Sequence, residues 1–313
     1  MSLTDAAGRT FTFAYNGNDN LLEVKDPAGR VWRFEYDSRG RMVKELRPGG
    51  VTLSYEYDGD NNLVKIREEG GGISRVTTYA YDPEGRLVAA TDPLGNTITY
   101  TYDPRGNLKT ITDPLGHTLN LEYDALGRVT GITDARGVKV LTVTYDGGRR
   151  TVTDALGHTI VHELDPLERV ERVTDPAGHA TQYTYDKLGR LTEVVDPLGG
   201  RSAWKYDAAG NLVEVKDPNG QATTFAYDPN GRLVGKTYAS GGTVRYEYAP
   251  GGLLRRVVNA RGQDIELDYY PDGRLKSIAF PEGTVNFGYD EAGRLVSVAE
   301  GGRTSSYGYD GLG

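Results

Sequence analysis

Aspartate is the residue most regularly placed for chemistry. It opens Asp82-Pro83-Glu84-Gly85, Asp103-Pro104-Arg105-Gly106 and Asp228-Pro229-Asn230-Gly231, and again Asp92-Pro93-Leu94-Gly95, Asp113-Pro114-Leu115-Gly116 and Asp175-Pro176-Ala177-Gly178. Carboxylates in series could act as acid–base pairs or bind calcium. The D-x-x-G spacing points instead to a local task, because Asp at the first position of a tight turn accepts hydrogen bonds from the N–H groups ahead of it. A calcium β-roll would also need a nine-residue repeat. Three of the four histidines, His117, His158 and His179, follow a turn glycine directly; the fourth is His162. Stacked on consecutive repeats, neutral imidazoles could hold a metal. With no cysteine and no glutamate at a supporting spacing, surface histidines flanking turns are the simpler assignment. No G-x-S-x-G nucleophile elbow occurs, and no glycine-rich loop leads into a helix that would cradle phosphate. The sequence therefore assigns no catalytic residue, no cofactor and no metal, and the chain is expected not to be an enzyme.

What positions these residues is a repeat. An anchor tyrosine, usually followed by Asp, falls at Tyr15, Tyr36, Tyr57, Tyr81, Tyr102, Tyr123, Tyr145, Tyr185, Tyr206, Tyr227, Tyr248, Tyr269, Tyr289 and Tyr309, with Leu164 filling the gap after Tyr145. Nine of the fourteen steps are 21 residues and the rest run from 19 to 24. Self-similarity at such a period marks a repeat architecture. Each period carries two turns, one after the anchor and one half a period on. Pro at the second turn position presets φ for a type I turn. Gly at the fourth (Gly85, Gly106, Gly116, Gly178) is expected to take the left-handed conformation of a G1 bulge. The array is least regular at 137–165 and 241–283. The step of 24 holds Glu69-Gly70-Gly71-Gly72, expected as a longer exposed loop.

Before each anchor the residues alternate. Tyr100 and Tyr102 share one strand face, Thr99 and Thr101 the other. The position two before the anchor is apolar or aromatic throughout, as in Phe34, Tyr55, Tyr79, Tyr183 and Phe225. One face is thus expected to carry a double ladder of large side chains, Trp204 and Trp32 included. Aromatic packing between hairpins explains the ladder; rings exposed as platforms for sugars are the alternative. The strand after each turn begins with a Leu-like residue and an apolar one three on, Leu108 and Ile111 for example. That step requires a bulge between them or cover on both faces, and the bulge is favoured.

Composition agrees. The 313 residues include 42 Gly and 22 Tyr against 6 Phe, and 37% are hydrophobic. Turn formers with aromatic strand formers mean many short strands. The net charge of −8, with basic residues dispersed, argues against a nucleic-acid partner, which needs a concentrated basic face. No apolar run reaches the ~18 residues of a helical membrane span. The start, Met1-Ser2-Leu3-Thr4-Asp5, has neither the charged nor the apolar region of a signal peptide.

Tyr81-Asp82-Pro83-Glu84-Gly85-Arg86-Leu87 followed by Asp92-Pro93-Leu94-Gly95 resembles the consensus of the YD-repeat (Rhs) family, and the resemblance extends over essentially the whole chain. That family includes bacterial Rhs polymorphic toxins, B and C components of insecticidal toxin complexes, and teneurins. The resemblance implies an all-β fold, with tandem hairpins in a long antiparallel meander that spirals into a shell or open superhelix. It further implies a structural scaffold enclosing or presenting a C-terminal toxin or other effector, secreted or at the cell surface. The alternative it offers is an adhesive module for carbohydrate or protein. Residues 1–313 are expected to be one continuous array of about 14 repeats. The array starts within Asp5-Ala6-Ala7-Gly8 and stops within Asp310-Gly311-Leu312-Gly313, which reads as a piece of a longer shell without the family's self-cleaving core segment. Expected partners are further repeats, an enclosed effector, possible glycans, and copies pairing through open sheet edges. The anchors Tyr36, Tyr57, Tyr81, Tyr102, Tyr123, Tyr185, Tyr206 and Tyr227, with the four glycines named above, are expected to carry architecture rather than chemistry.

Overall fold

The computed structural model describes residues 1–312, so the expected terminal turn at 310–313 lies partly outside the described residues. Those residues form thirty β-strands and no helix. The all-β antiparallel meander of repeat hairpins expected from the sequence is the fold observed.

One period shows how it is built. The strand Thr97–Tyr102 pairs with Leu108–Thr112, Thr99 facing Thr112, Tyr100 facing Ile111 and Thr101 facing Thr110. The register then shifts, and Tyr102 faces Leu108. Lys109 is the extra residue, so the bulge does lie between Leu108 and Ile111. The same shift immediately precedes Tyr36, Tyr57, Tyr81, Tyr123, Leu164, Tyr185, Tyr206 and Tyr227. Past the half-period turn the pairing is shorter: Thr110, Ile111 and Thr112 face Asn120, Leu119 and Thr118.

The turns have the expected geometry. The Asp103 carbonyl accepts from Gly106 N at 2.9 Å, and Asp103 N donates to the Asn107 carbonyl at 2.9 Å. This is a type I turn closed by a left-handed residue. Gly85, Gly106, Gly116 and Gly178 have φ of +77°, +86°, +86° and +87°. Where glycine is missing the backbone keeps its path: Asp19, Asn61 and Glu168 adopt φ of +60°, +72° and +62°.

Two irregular periods solve the turn differently. Lys139–Asp146 and Arg149–Asp154 pair without a shift around Gly147-Gly148. The glycine-rich stretch at 69–72 is not a loop. The strands Leu63–Gly70 and Ile73–Tyr81 pair up to Gly70 facing Ile73, leaving only Gly71 and Gly72 in the turn. Their φ of +54° and +81° fit a two-residue type I′ turn, whose twist matches that of the flanking strands. The insertion therefore lengthens the hairpin.

The chain divides into two compact units, one of residues 1–95 with 243–313 and the other of residues 96–242. In the first, the tips of early half-period turns meet the tips of late anchor turns. Ala7 lies against Gly251, Gly49 against Ala292, and Gly70-Gly71 against Gly311. Arg75 pairs with Asp310 at 3.2 Å. Asp26 and the side chain of Asp272 are each only 5% exposed, and they border one hollow with Pro27, Arg30 and Trp32. In the second unit each strand pairs with its neighbours in sequence, for example Val170–Thr174 with Ala180–Tyr185 and that strand with Leu191–Val195.

Because the sheet is a single layer, it holds little core. Among the described residues no side chain is less than 2% exposed, and the buried hydrophobics are Val51, Leu53, Val143 and Val244. The ladder alternates as expected, with Tyr100 and Tyr102 half-buried and Thr99 and Thr101 exposed. Trp32 and Trp204 are half-buried too, less sheltered than inward placement in a closed core would make them.

Candidate functional site

The most repeated constellation in the molecule is the anchor turn, and each of its polar groups has a partner close by. In the turn at Asp165, Oδ1 accepts from Leu167 N at 2.9 Å and Arg169 N at 3.0 Å, while Oδ2 accepts from Arg169 Nε at 2.7 Å. The carboxylate thus closes the turn on itself and anchors the residue after the left-handed position. These bonds favour the charged form. Asp165 and Asp37 are held below the ordinary carboxylate range first by the side-chain hydrogen bonds from Arg169 and Arg41, while partial loss of hydration opposes them.

The arginine also reaches forward. Arg169 lies over the ring of Tyr185, 4.8 Å from its centroid, and Nη1 donates to the Asp186 carbonyl at 3.3 Å. The same placement recurs for Arg41 over Tyr57 at 4.6 Å, Arg128 over Tyr145 at 4.0 Å, Arg190 over Tyr206 at 4.6 Å and Arg294 over Tyr309 at 4.6 Å. Each is a cation over a ring face, an attraction that strengthens with desolvation. The tyrosine completes the link. Tyr185 OH donates to the Val170 carbonyl at 2.9 Å, one hairpin back. Tyr57, Tyr81, Tyr123, Tyr206 and Tyr227 do the same to Met42, Leu63, Leu108, Leu191 and Leu212, at 2.7 to 3.0 Å. Pairing between these hairpins stops short of that carbonyl; after Thr110 facing Asn120, for example, the ladder ends. The phenol supplies the donor that the ladder no longer provides.

The structure brings these anchor tyrosines to the first carbonyl of the preceding hairpin's return strand. Tyr36 and Tyr102 hold the same register position, opposite Met42 and Leu108. Sequence reasoning missed the arginine. Its signal was available: Arg follows the turn glycine in Gly40-Arg41, Gly127-Arg128 and Gly189-Arg190, and the next anchor stands 16 or 17 residues on. Elsewhere Asn fills the slot, and Asn107 Nδ2 donates to Asp103 Oδ2 at 2.9 Å.

The histidines are not brought together. His117, His158 and His179 each place Nδ1 at 2.8, 2.9 and 3.1 Å from Oδ2 of their own turn's Asp113, Asp154 and Asp175. They fill the slot that Arg and Asn fill in other turns. Among the described residues no group of three His, Cys, Asp or Glu is placed to hold a metal. His162 sits apart, facing Arg150 across the strands. Burial, followed by the Arg150 charge, lowers its pKa. An open hollow of about 430 Å³ is lined by Arg255, Arg256, Glu266, Asp268 and Ser277. Two of its charged side chains are ion-paired: Arg256 with Glu247 at 3.1 Å and Asp264 at 2.7 Å, and Asp268 with Lys276 at 2.8 Å. Among the described residues no helix is long and apolar enough to cross a membrane.

Comparison with known proteins bears directly on this repeated turn. The family described as RHS Repeat matches residues 15–52, 57–97, 81–118, 102–139, 123–159, 165–201, 206–243, 227–264 and 269–301. The chain belongs to the RHS-repeat family. Its fold is similar to that of a solved TcdB2-TccC3 chain without its hypervariable C-terminal region, with a TM-score of 0.76 at 15% identity over 95% of this chain and 18% of that one. A TcdB2-TccC3-TEV chain superimposes with a TM-score of 0.56 at 16% identity over 97% of this chain and 19% of that one. This RHS-repeat chain thus spans less than a quarter of either solved chain. No curated protein matches it. As a member of the family it is a structural repeat scaffold.

Proposed function

We propose that this scaffold is non-catalytic and forms part of the wall of an Rhs-type shell, enclosing or presenting a C-terminal toxin or other effector domain. The observation that carries the reading is the use made of the ionisable groups. Asp, Arg, Asn, His and Tyr of the turns are bonded within their own hairpin or to the next, as in Asp165, Arg169 and Tyr185. In this reading 1–313 is one continuous array, the anchor tyrosines and turn glycines are its structural residues, and its partners are further repeats and the enclosed effector. The toxin-complex chains with this fold are several times longer, which supports a place within a larger wall, secreted or at the cell surface. An adhesive, glycan-binding role has less support, since Trp32 and Trp204 stand in the half-buried ladder. Reading the gene on both sides of these codons tests the proposal. Further repeats followed by an unrelated C-terminal domain are expected. A membrane or cell-wall anchor in place of such a domain would favour adhesion.

A further inference from the structure

One period departs from the linkage that joins the others. The anchor place after Tyr145 is taken by Leu164, which has no phenol to donate one hairpin back. Its backbone reaches back instead, with Leu164 N donating to the Gly148 carbonyl at 2.6 Å. The hairpin before it, Lys139–Asp146 with Arg149–Asp154, has no bulge. Two ladder places are changed as well. His162, two before Leu164, holds the place of Tyr100 and Tyr183 in other periods. Arg150 faces Tyr145, where Leu108 faces Tyr102.

These two residues meet. Arg150 pairs with His162 across the strands Arg149–Asp154 and Thr159–Leu164, and residues opposed in this way share a face of the sheet. Both are half-buried. Arg150 Nε and His162 Nδ1 are buried and have no hydrogen-bond partner among the described residues. From the strand on the other side, Val170–Thr174, the residue facing His162 is Val173. Glu163 lies on the opposite face, between Arg149 and Arg172. Glu171, the extra residue of that strand's bulge, is exposed. Asp154, two places along the face from Arg150, is held by His158 Nδ1 at 2.9 Å. Burial first, then the Arg150 charge, lowers the pKa of His162, against a hydrogen bond to the Arg150 backbone.

We propose that residues 139–164 are an acid-sensitive opening point of the sheet, where protonation of His162 sets a second positive charge beside Arg150 and loosens the pairing of Arg149–Asp154 with Thr159–Leu164. Neutral, the imidazole fits a ladder place. Charged, it loses hydration and meets a like charge. In opened strands His162 takes up a proton near the ordinary histidine value of about 6.5, and in paired strands only at lower pH. The closed hairpin therefore keeps its full stability above about pH 6.5 and loses part of it as the pH falls from there towards the lower folded value. The turn carboxylates respond only below about pH 4, so the two effects occupy separate windows. One histidine shifts the melting of a chain of 313 residues little, so the effect is read at the hairpin itself. The inference is independent of what the wall encloses.

Amide hydrogen exchange of the whole chain tests it, read as protection relative to unstructured peptide at the same pH, at about pH 7 and about pH 5.5. Protection within Arg149–Asp154 and Thr159–Leu164 is expected to fall roughly three- to tenfold between the two, and that of Thr97–Tyr102 and Leu108–Thr112 to hold. His162→Tyr, which restores a ladder ring, should abolish the difference. Arg150→Met should shrink it and raise the pH at which the His162 imidazole titrates by NMR. Equal protection of the wild type at both pH values, a difference that persists in His162→Tyr, or an imidazole titration unmoved by Arg150→Met would overturn the proposal.

Discussion

The linkage of Asp165, Arg169 and Tyr185 sets how one repeat holds the next. Its three contacts are partly exposed, so each is modest and their strength lies in repetition. A double-mutant cycle of Arg169→Gln and Tyr185→Leu is expected to give a coupling of about 0.5–1 kcal/mol in urea unfolding; additive effects would show the guanidinium does not act through the ring. Glu168 makes the opposite case. It stands at φ +62°, which costs an L-residue roughly 1–2 kcal/mol. That exceeds the roughly 0.5–1 kcal/mol of extra backbone freedom glycine brings to the unfolded chain. Glu168→Gly is therefore expected to raise the urea midpoint slightly, and a lowered midpoint would refute the strain assignment. The aspartate and the glycine of each turn were legible in the sequence because their effects span four residues. The Gly-Arg step was visible too, but not what the guanidinium meets, because its second partner is the ring of the next anchor and nothing in local turn chemistry requires it.

At the scale of the hairpin, the left-handed position and the capping carboxylate decide stability. Gly116 has φ +86°, and a β-branched residue resists that conformation. Gly116→Val should cost roughly 2 kcal/mol or more, read as a drop in melting temperature; an unchanged melt would contradict the turn assignment. The carboxylates set the acid limit. Those of Asp37, Asp103, Asp113 and Asp165 are held below their ordinary value, in each case first by the side-chain hydrogen bond from the residue four on, Arg41, Asn107, His117 and Arg169. An unfolded Asp titrates near about 3.9. The charged turns therefore contribute fully above about pH 4, and the contribution is lost as pH falls through the lower folded values. Thermal melts should stay level down to about pH 4 and fall below it; a melt that is flat to about pH 2 would remove the caps from the account. Hairpin, bulge and turn type could all be read from spacing. The stretch at 69–72 could not, because a glycine run fits both a loop and a two-residue turn, and the pairing of its flanks decides between them.

On the scale of the molecule, the two units are held differently. Residues 96–242 rest on pairing between sequence neighbours. The unit of residues 1–95 and 243–313 also depends on contacts between positions more than 200 apart, Arg75 with Asp310 among them. No local pattern announces those contacts, so the repeat alone did not reveal which tips would meet. Gly70 isolates them. It lies at the end of a strand and faces Gly311, Val51 and Leu312. Gly70→Val should leave its own hairpin paired while speeding amide exchange in the strand Arg303–Ser306, with residues 96–242 unaffected; unchanged exchange at Arg303–Ser306 would mean the tips do not hold that end. The central claim, that these repeats wall off another domain, is tested most directly by limited proteolysis of the complete natural polypeptide. An effector domain that survives while the repeats are folded, and is digested once Gly116→Val and Gly70→Val have loosened them, is the predicted result. Digestion of that domain at the same rate with intact and loosened repeats would contradict it.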